Sequence, residues 1–191
     1  MNEKILDSGL IENEFVYQDN LTAIERLKSM LLDHFIICFT LLPPAIIPEL
    51  IGIEMGNWSG SIMMLIIFAI YINKDILVGR SAAKRILGQV VIDKETGMPA
   101  NEIKCTIRNF TICFWIIEVI IVMFNPNRKI GDLIAGTKVV RTDKKDIKSM
   151  LFDFKKAIKV NWILPLGIAI FYSWIIINSI IPMIGGHLLF L

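Results

Sequence analysis

Residues 160–184 read Val-Asn-Trp-Ile-Leu-Pro-Leu-Gly-Ile-Ala-Ile-Phe-Tyr-Ser-Trp-Ile-Ile-Ile-Asn-Ser-Ile-Ile-Pro-Met-Ile. No charged side chain interrupts them, and at 1.5 Å per residue a helix of roughly twenty residues crosses the hydrocarbon core of a bilayer. The stretch predicts a transmembrane helix. Three further apolar blocks precede it, at about Leu31 to Ile53, Ser59 to Leu77 and Phe110 to Phe124. Of the 191 residues 54% are apolar and the mean hydropathy is +0.61, whereas soluble domains sit near 45–50% apolar. Because the surplus arrives in blocks and not with the dispersed periodicity of a soluble core, it reads as one membrane domain facing lipid.

The earlier blocks are less regular than the last. Pro43, Pro44 and Pro48 remove backbone donors from the first, which predicts a bend or unwound turn near Pro43. The third is short for a spanning helix and carries Glu118 midway. All 20 Lys and Arg residues fall in three stretches, with three in residues 1–30, seven in 74–108 and ten in 125–159. The positive-inside rule therefore places the N-terminus and both basic stretches in the cytosol, with Glu49, Glu54 and Trp58 outside. A third block that crossed would export the most basic part of the chain. It is accordingly expected to dip in and return on the cytosolic side, or to lie in the interface, packed against the other helices.

Within the basic stretches, Gln89–Asp93, closed by Thr96-Gly97, and Thr137–Arg141 have the composition of short strands. They are expected to pair with each other, two unconnected interfacial coils being the alternative. The expected fold is thus an all-α integral membrane protein: a helical bundle of three to four membrane segments, one of them re-entrant, with a small cytosolic β-hairpin layer. Its organisation reads as an acidic cytosolic tail (1–20), a membrane domain (21–141), a basic cytosolic linker (142–159) and a C-terminal transmembrane helix (160–191). Six acids and no apolar stretch with early basic flanks in the first thirty residues argue against a cleavable signal peptide.

A net charge of +2 lacks the pervasive basic balance of a nucleic-acid binder. Cys38, Cys105 and Cys113 form no C-x-x-C pair and His34 and His187 no ligand array, so neither disulfide, metal nor other cofactor is expected. Lys84 and Arg85 sit in a glycine-framed segment, but the phosphate-loop order Gly-x-x-x-x-Gly-Lys-Ser/Thr is absent. These two are read as lipid-facing basic residues. No nucleophile and base arrangement supports an enzyme.

Several spaced motifs occur in one order: Arg26 and Asp33 at the head of the first block, Gly79-Arg-Ser-Ala-Ala-Lys-Arg-Ile-Leu-Gly88 before a strand, Arg108, and Asn125-Pro-Asn-Arg-Lys-Ile-Gly-Asp-Leu-Ile-Ala-Gly136 before the next. Over about residues 21–141 this pattern resembles the RDD family of prokaryotic membrane proteins, whose defining Arg and two Asp map to Arg26, Asp33 and Asp132. Ala83 stands where that family often has Gly. The resemblance implies a multi-pass protein of the prokaryotic inner membrane. It further implies transport, since members of the family have been linked to cation/proton antiport.

On a helix Arg26 and Asp33 fall within about 20° of one face, roughly 10 Å apart along the axis, so they share a partner more easily than they touch. One reading makes Asp33 and Glu118 desolvated carboxylates that exchange protons for monovalent cations, tuned by Arg26, in a homo-oligomer within the bilayer. The other makes Arg26, Asp33 and Asp132, with Arg108 as a candidate partner of Asp132, a buried ion-pair network that clamps the cytosolic layer onto the first helix. The matching function is a non-catalytic module that assembles or regulates partner proteins.

Overall fold

A computed structural model describes residues 17–53, 59–157 and 163–183. The acidic residues before position 17, as well as Glu54, Trp58 and His187, lie outside the described residues. The chain is mostly helical with one two-stranded antiparallel sheet.

Helix α1 spans Ala23–Leu50. It starts where Thr22 and Glu25 form a reciprocal cap: the Thr22 N–H donates to the Glu25 carboxylate at 3.0 Å and the Glu25 N–H donates to the Thr22 hydroxyl at 3.3 Å. The unwound turn expected near Pro43 is not present, because helix runs through Pro43, Pro44 and Pro48. Each proline leaves one carbonyl a turn earlier without its helical donor but already has a helical φ. Helix α2 covers Ser59–Ile72, and α8 (Ile163–Met183) packs along it, with Ala69 and Ile72 against Ala169 and with Tyr172 stacked on Phe110.

Between these helices lies a layer of short elements: α3 (Ala82–Leu87), β1 (Gln89–Asp93), α4 (Glu102–Ile107), a 3₁₀ turn at Phe110–Phe114, α5 (Trp115–Phe124), α6 (Ile130–Ala135), β2 (Thr137–Arg141) and α7 (Ser149–Ala157). The two strands pair in register from Gln89 opposite Arg141 to Asp93 opposite Thr137, as their composition predicts. The pair is not a hairpin, however, since residues 94–136 run between the strands. Val91 and Val139 pack with Leu21, Ala100 and Cys105, while Val90, Ile92 and Val140 pack with Tyr17. Both faces of the sheet are therefore covered.

The layer is built from one unit used twice. Helices α3 and α6 each have six residues, and each ends on a left-handed glycine, Gly88 or Gly136, directly before a five-residue strand. Antiparallel pairing relates the two units by a pseudo-twofold axis through Val91 and Val139. It makes Lys84 of α3 and Asp132 of α6 equivalent, both at the third position of their helix. Ala83, where the resembling family often has Gly, is an ordinary buried helical residue.

Among the described residues, two stretches are long and apolar enough to cross a membrane, Ala23–Pro48 and Glu102–Phe124. The second is not one straight rod, being broken at Asn109 and at the 3₁₀ turn. The chain beyond it returns: Gly131 packs so tightly on Arg108 and Thr111 that a Cβ there would collide with the Arg108 carbonyl. Residues 108–131 leave this layer and come back to it. Large apolar side chains remain exposed along these helices, among them Phe39, Ile116, Phe124 and Phe171.

Gly131→Ala is expected to destabilise the fold by about 1–3 kcal/mol through overpacking. Gly60→Ala, which meets no atom within 4 Å, should be neutral or slightly stabilising. Thermal unfolding of the two variants in detergent checks the pair.

Candidate functional site: a buried ion network

Where the short elements meet α1 and α2, charged side chains are collected out of solvent. Arg26, Asp33, Asp75, Lys84, Arg108, Glu118 and Asp132 are each 3% exposed or less. Burial of isolated charges costs several kcal/mol per ion, so such groups persist only when paired and hydrogen-bonded.

Asp132 is the most heavily bonded. One oxygen accepts from Arg108 Nε at 2.6 Å and from the Thr137 hydroxyl at 3.0 Å; the other accepts from Arg26 Nη2 at 3.3 Å and from the Lys129 N–H at 3.1 Å. Its position in the first turn of α6 lets it reach back to that N–H, as in a capping box. Burial alone would raise the Asp132 carboxyl, but the Arg108 and Arg26 guanidiniums and Lys129 outweigh it and hold it well below the usual carboxylate range.

Arg108 continues the chain of bonds, since its Nη1 donates to Asp75 at 2.8 Å. Asp75 also accepts from Lys84 Nζ at 2.7 Å and from Asn109 at 3.2 Å. It is presented by the tight turn after α2, in which Val78 holds a left-handed φ of 57°. A β-branched residue adopts that conformation only when its surroundings enforce it. Lys84 closes the chain on α1: its ammonium lies 3.3 Å from Asp33, which also accepts from the Ser81 hydroxyl at 2.8 Å and the Ala83 N–H at 3.2 Å. Lys74 stands 3.7 Å from Asp33, too far for a hydrogen bond. Burial lowers the Lys84 ammonium, with Asp75 and Asp33 opposing it.

Glu118 forms a second centre beside the first. It accepts from Lys129 Nζ at 3.0 Å, from the Thr111 hydroxyl, and from the Gly131 N–H at 3.4 Å. Burial pulls the Lys129 ammonium down to about 8 against the opposing pull of Glu118.

The structure thus brings Arg26, Asp33, Arg108 and Asp132 into one network, with Glu118 on its flank. Arg26 and Asp33 neither touch nor share a partner directly; they are joined through Asp132, Arg108, Asp75 and Lys84. The reading of Lys84 and Arg85 as lipid-facing is overturned. Lys84 is 2% exposed and Arg85 fully buried, with Arg85 paired to Asp153 at 2.7 Å and bonded to Ser149 at 2.8 Å. On a six-residue helix wedged between α1, α7 and the sheet, both side chains point to carboxylates and not to a headgroup layer. Sequence reasoning also passed over Asp75, Lys74 and Lys129. Their signal was placement: Asn73-Lys74-Asp75 closes an apolar block, and Lys129 directly precedes Ile130-Gly131-Asp132.

Among the described residues no group of three His, Cys, Asp or Glu side chains could hold a metal ion. Comparison with protein-family models, with curated proteins and with solved structures gave no match.

Asp75→Asn is expected to cost about 3–5 kcal/mol, because it leaves Lys84 and Arg108 buried beside an uncharged amide. Chemical unfolding in micelles at pH 7 measures this. The pH dependence follows from the two shifts above. Asp132 ionises more readily folded than unfolded, so its contribution is complete above about pH 4 and is lost as pH falls towards its folded value. For Lys129 the unfolded chain holds the proton between about 8 and 10.5, so stability should rise with pH across that window. Lys129→Met should flatten the alkaline rise, and Asp132→Asn the acid fall, in unfolding measured from pH 3 to 10.5.

Proposed function

We propose that this chain is a multi-pass membrane module of the RDD type whose buried ion network is a clamp, and that it acts by assembling or regulating partner proteins through its basic cytosolic face. One observation carries the reading: Asp33, Asp75, Glu118 and Asp132 are each already neutralised by a fixed ammonium or guanidinium. A cation carrier needs a carboxylate that its ion can reach and the protein can release. Here the carboxylates tie α1 to α3, α4 and α6, so breaking any pair loosens the joint between the apolar helices and the sheet.

The membrane setting is supported by the two long apolar helices among the described residues and by the large apolar side chains exposed along α1, α5 and α8. The motif order shared with the RDD family supports the same placement, with α1 beginning at the cytosolic face. The return of residues 108–131 to their starting layer favours a third segment that dips and comes back. On the cytosolic side, Lys144, Lys145 and Lys148 are exposed, and α7 beside them presents Leu151, Phe152 and Phe154 outward. This mixed basic and apolar strip is where a partner would bind.

Cation/proton antiport is the second reading. It is favoured by a groove of about 190 Å³ lined by Ile36, Ile37, Thr40, Leu41 and Ile70, which leads to Asp33 and Lys74, the loosest pair in the network. Proton flux driven by sodium or potassium in proteoliposomes separates the two. The clamp reading expects no flux above empty liposomes from pH 6 to 9. It also expects Lys144→Gln, Lys145→Gln and Lys148→Gln to weaken in-cell cross-linking to neighbouring proteins while folding is kept. Flux that disappears in a folded Asp33→Asn or Glu118→Gln variant would overturn it in favour of antiport.

A further inference from the structure

The network is not electrically balanced. Arg26, Lys74, Lys84, Arg108 and Lys129 supply five cationic groups against the four carboxylates Asp33, Asp75, Glu118 and Asp132, leaving one positive charge over. A buried charge without a counter-charge is strongly disfavoured. Hydrogen bonding is unbalanced in the same sense and the same place. Arg26 is 1% exposed and uses only Nη2, on Asp132; its Nε and Nη1 are buried with no acceptor among the described residues, and so is Trp115 Nε1. The Lys74 ammonium, too far from Asp33 for a hydrogen bond, lies 4.3 Å from the centre of the Tyr71 ring.

Arg26, Lys74, Tyr71 and Trp115 line one cavity of about 20 Å³, counted as room for the centre of a water-sized body. Roughly 10–15 Å³ on that measure admits one such body. Asp75 and Glu118 also face it, but both oxygens of each carboxylate already accept bonds, from Lys84, Arg108 and Asn109 and from Thr111, Gly131 and Lys129. The lining atoms buried without any partner are donors, Arg26 Nε and Nη1 and Trp115 Nε1, and the Lys74 ammonium beside them makes no hydrogen bond to Asp33.

We propose that this cavity binds a small monovalent inorganic anion of chloride or bromide size, held by the free edge of the Arg26 guanidinium, the Trp115 indole N–H and the Lys74 ammonium. The anion neutralises the surplus charge and satisfies donors that the protein leaves open. It thereby acts as the last member of the clamp, and the proposal holds whether the chain transports ions or assembles partners. Selectivity follows from charge and size: the surplus is positive, Asp75 and Glu118 are already paired, and about 20 Å³ suits a single halide better than a tetrahedral oxyanion.

The test uses the full-length protein in detergent, with thermal unfolding titrated by sodium bromide against sodium gluconate at constant ionic strength. Anomalous diffraction from bromide-soaked crystals locates the ion. Wild type should be stabilised saturably by bromide and not by sulfate, with an anomalous peak between Arg26 and Trp115. Trp115→Phe keeps the ring but removes the N–H and should weaken apparent bromide affinity about tenfold. Lys74→Gln removes the surplus charge and should weaken it at least as much, whereas Lys94→Gln on the surface should leave it unchanged. Equal unfolding temperatures in bromide and gluconate, a response to sulfate matching that to bromide, or a bromide response unaltered by both cavity variants would overturn the proposal and assign the cavity to water.

Discussion

The joint between helices and sheet depends on the Asp132 carboxylate, which two guanidiniums share. Its donors come from α1, from the end of α4, from the residue before α6 and from β2. One small acidic group therefore ties α1 and the end of α4, distant in the chain, to the α6–β2 unit that carries it. Geometry makes this possible: a carboxylate offers about four lone-pair directions, and all four are used. Arg108 is the matching hub on the cationic side, joining Asp132 to Asp75 and through Lys84 to Asp33. Removal of any member leaves its partner charged and buried, so the network holds or fails as a unit.

The pseudo-twofold repeat explains how so polar a core arises from so small a layer. Each helix–glycine–strand unit places its third helical residue inward, and in one unit that residue is Lys84 while in the other it is Asp132. Opposite charges at equivalent positions let each unit satisfy what the other half of the layer and α1 supply. Two identical units would place like charges together. Gly131 in the second unit allows the approach to the Arg108 carbonyl that Ala83, its counterpart in the first, does not need to make.

A compensated network also bears on function. The charges are concentrated at one end of the apolar helices, beside the sheet, where fixed cations already occupy the carboxylates. The excess is positive, which favours anions over cations in the adjoining cavity. The same arrangement leaves the Lys144, Lys145 and Lys148 side chains exposed, while the backbone beside them is held by Arg80 on the Asp143 carbonyl and by the Lys145 N–H on the Arg85 carbonyl.

Much was legible in the chain as written. Apolar blocks longer than a turn or two of polar surface can tolerate announce α1, α2 and α8, and the β-branched runs Gln89–Asp93 and Thr137–Arg141 announce two strands that need each other. Arg26, Asp33, Arg108 and Asp132 were marked by the motif order that resembles the RDD family, and Glu118 by its place midway along an apolar block. Partnership was not legible, because pairing of ions depends on approach in space and not on spacing along the chain. Asp75 carried no signal along the chain; the tight turn through Val78 places it against Arg108. Lys84 and Arg85 looked like basic surface until α3 was seen wedged among α1, the sheet and α7. Local composition determined the apolar helices and the two strands; only the tertiary structure decided the short helices between them and which charges are buried together, since electrostatic compensation is a property of distance and dielectric.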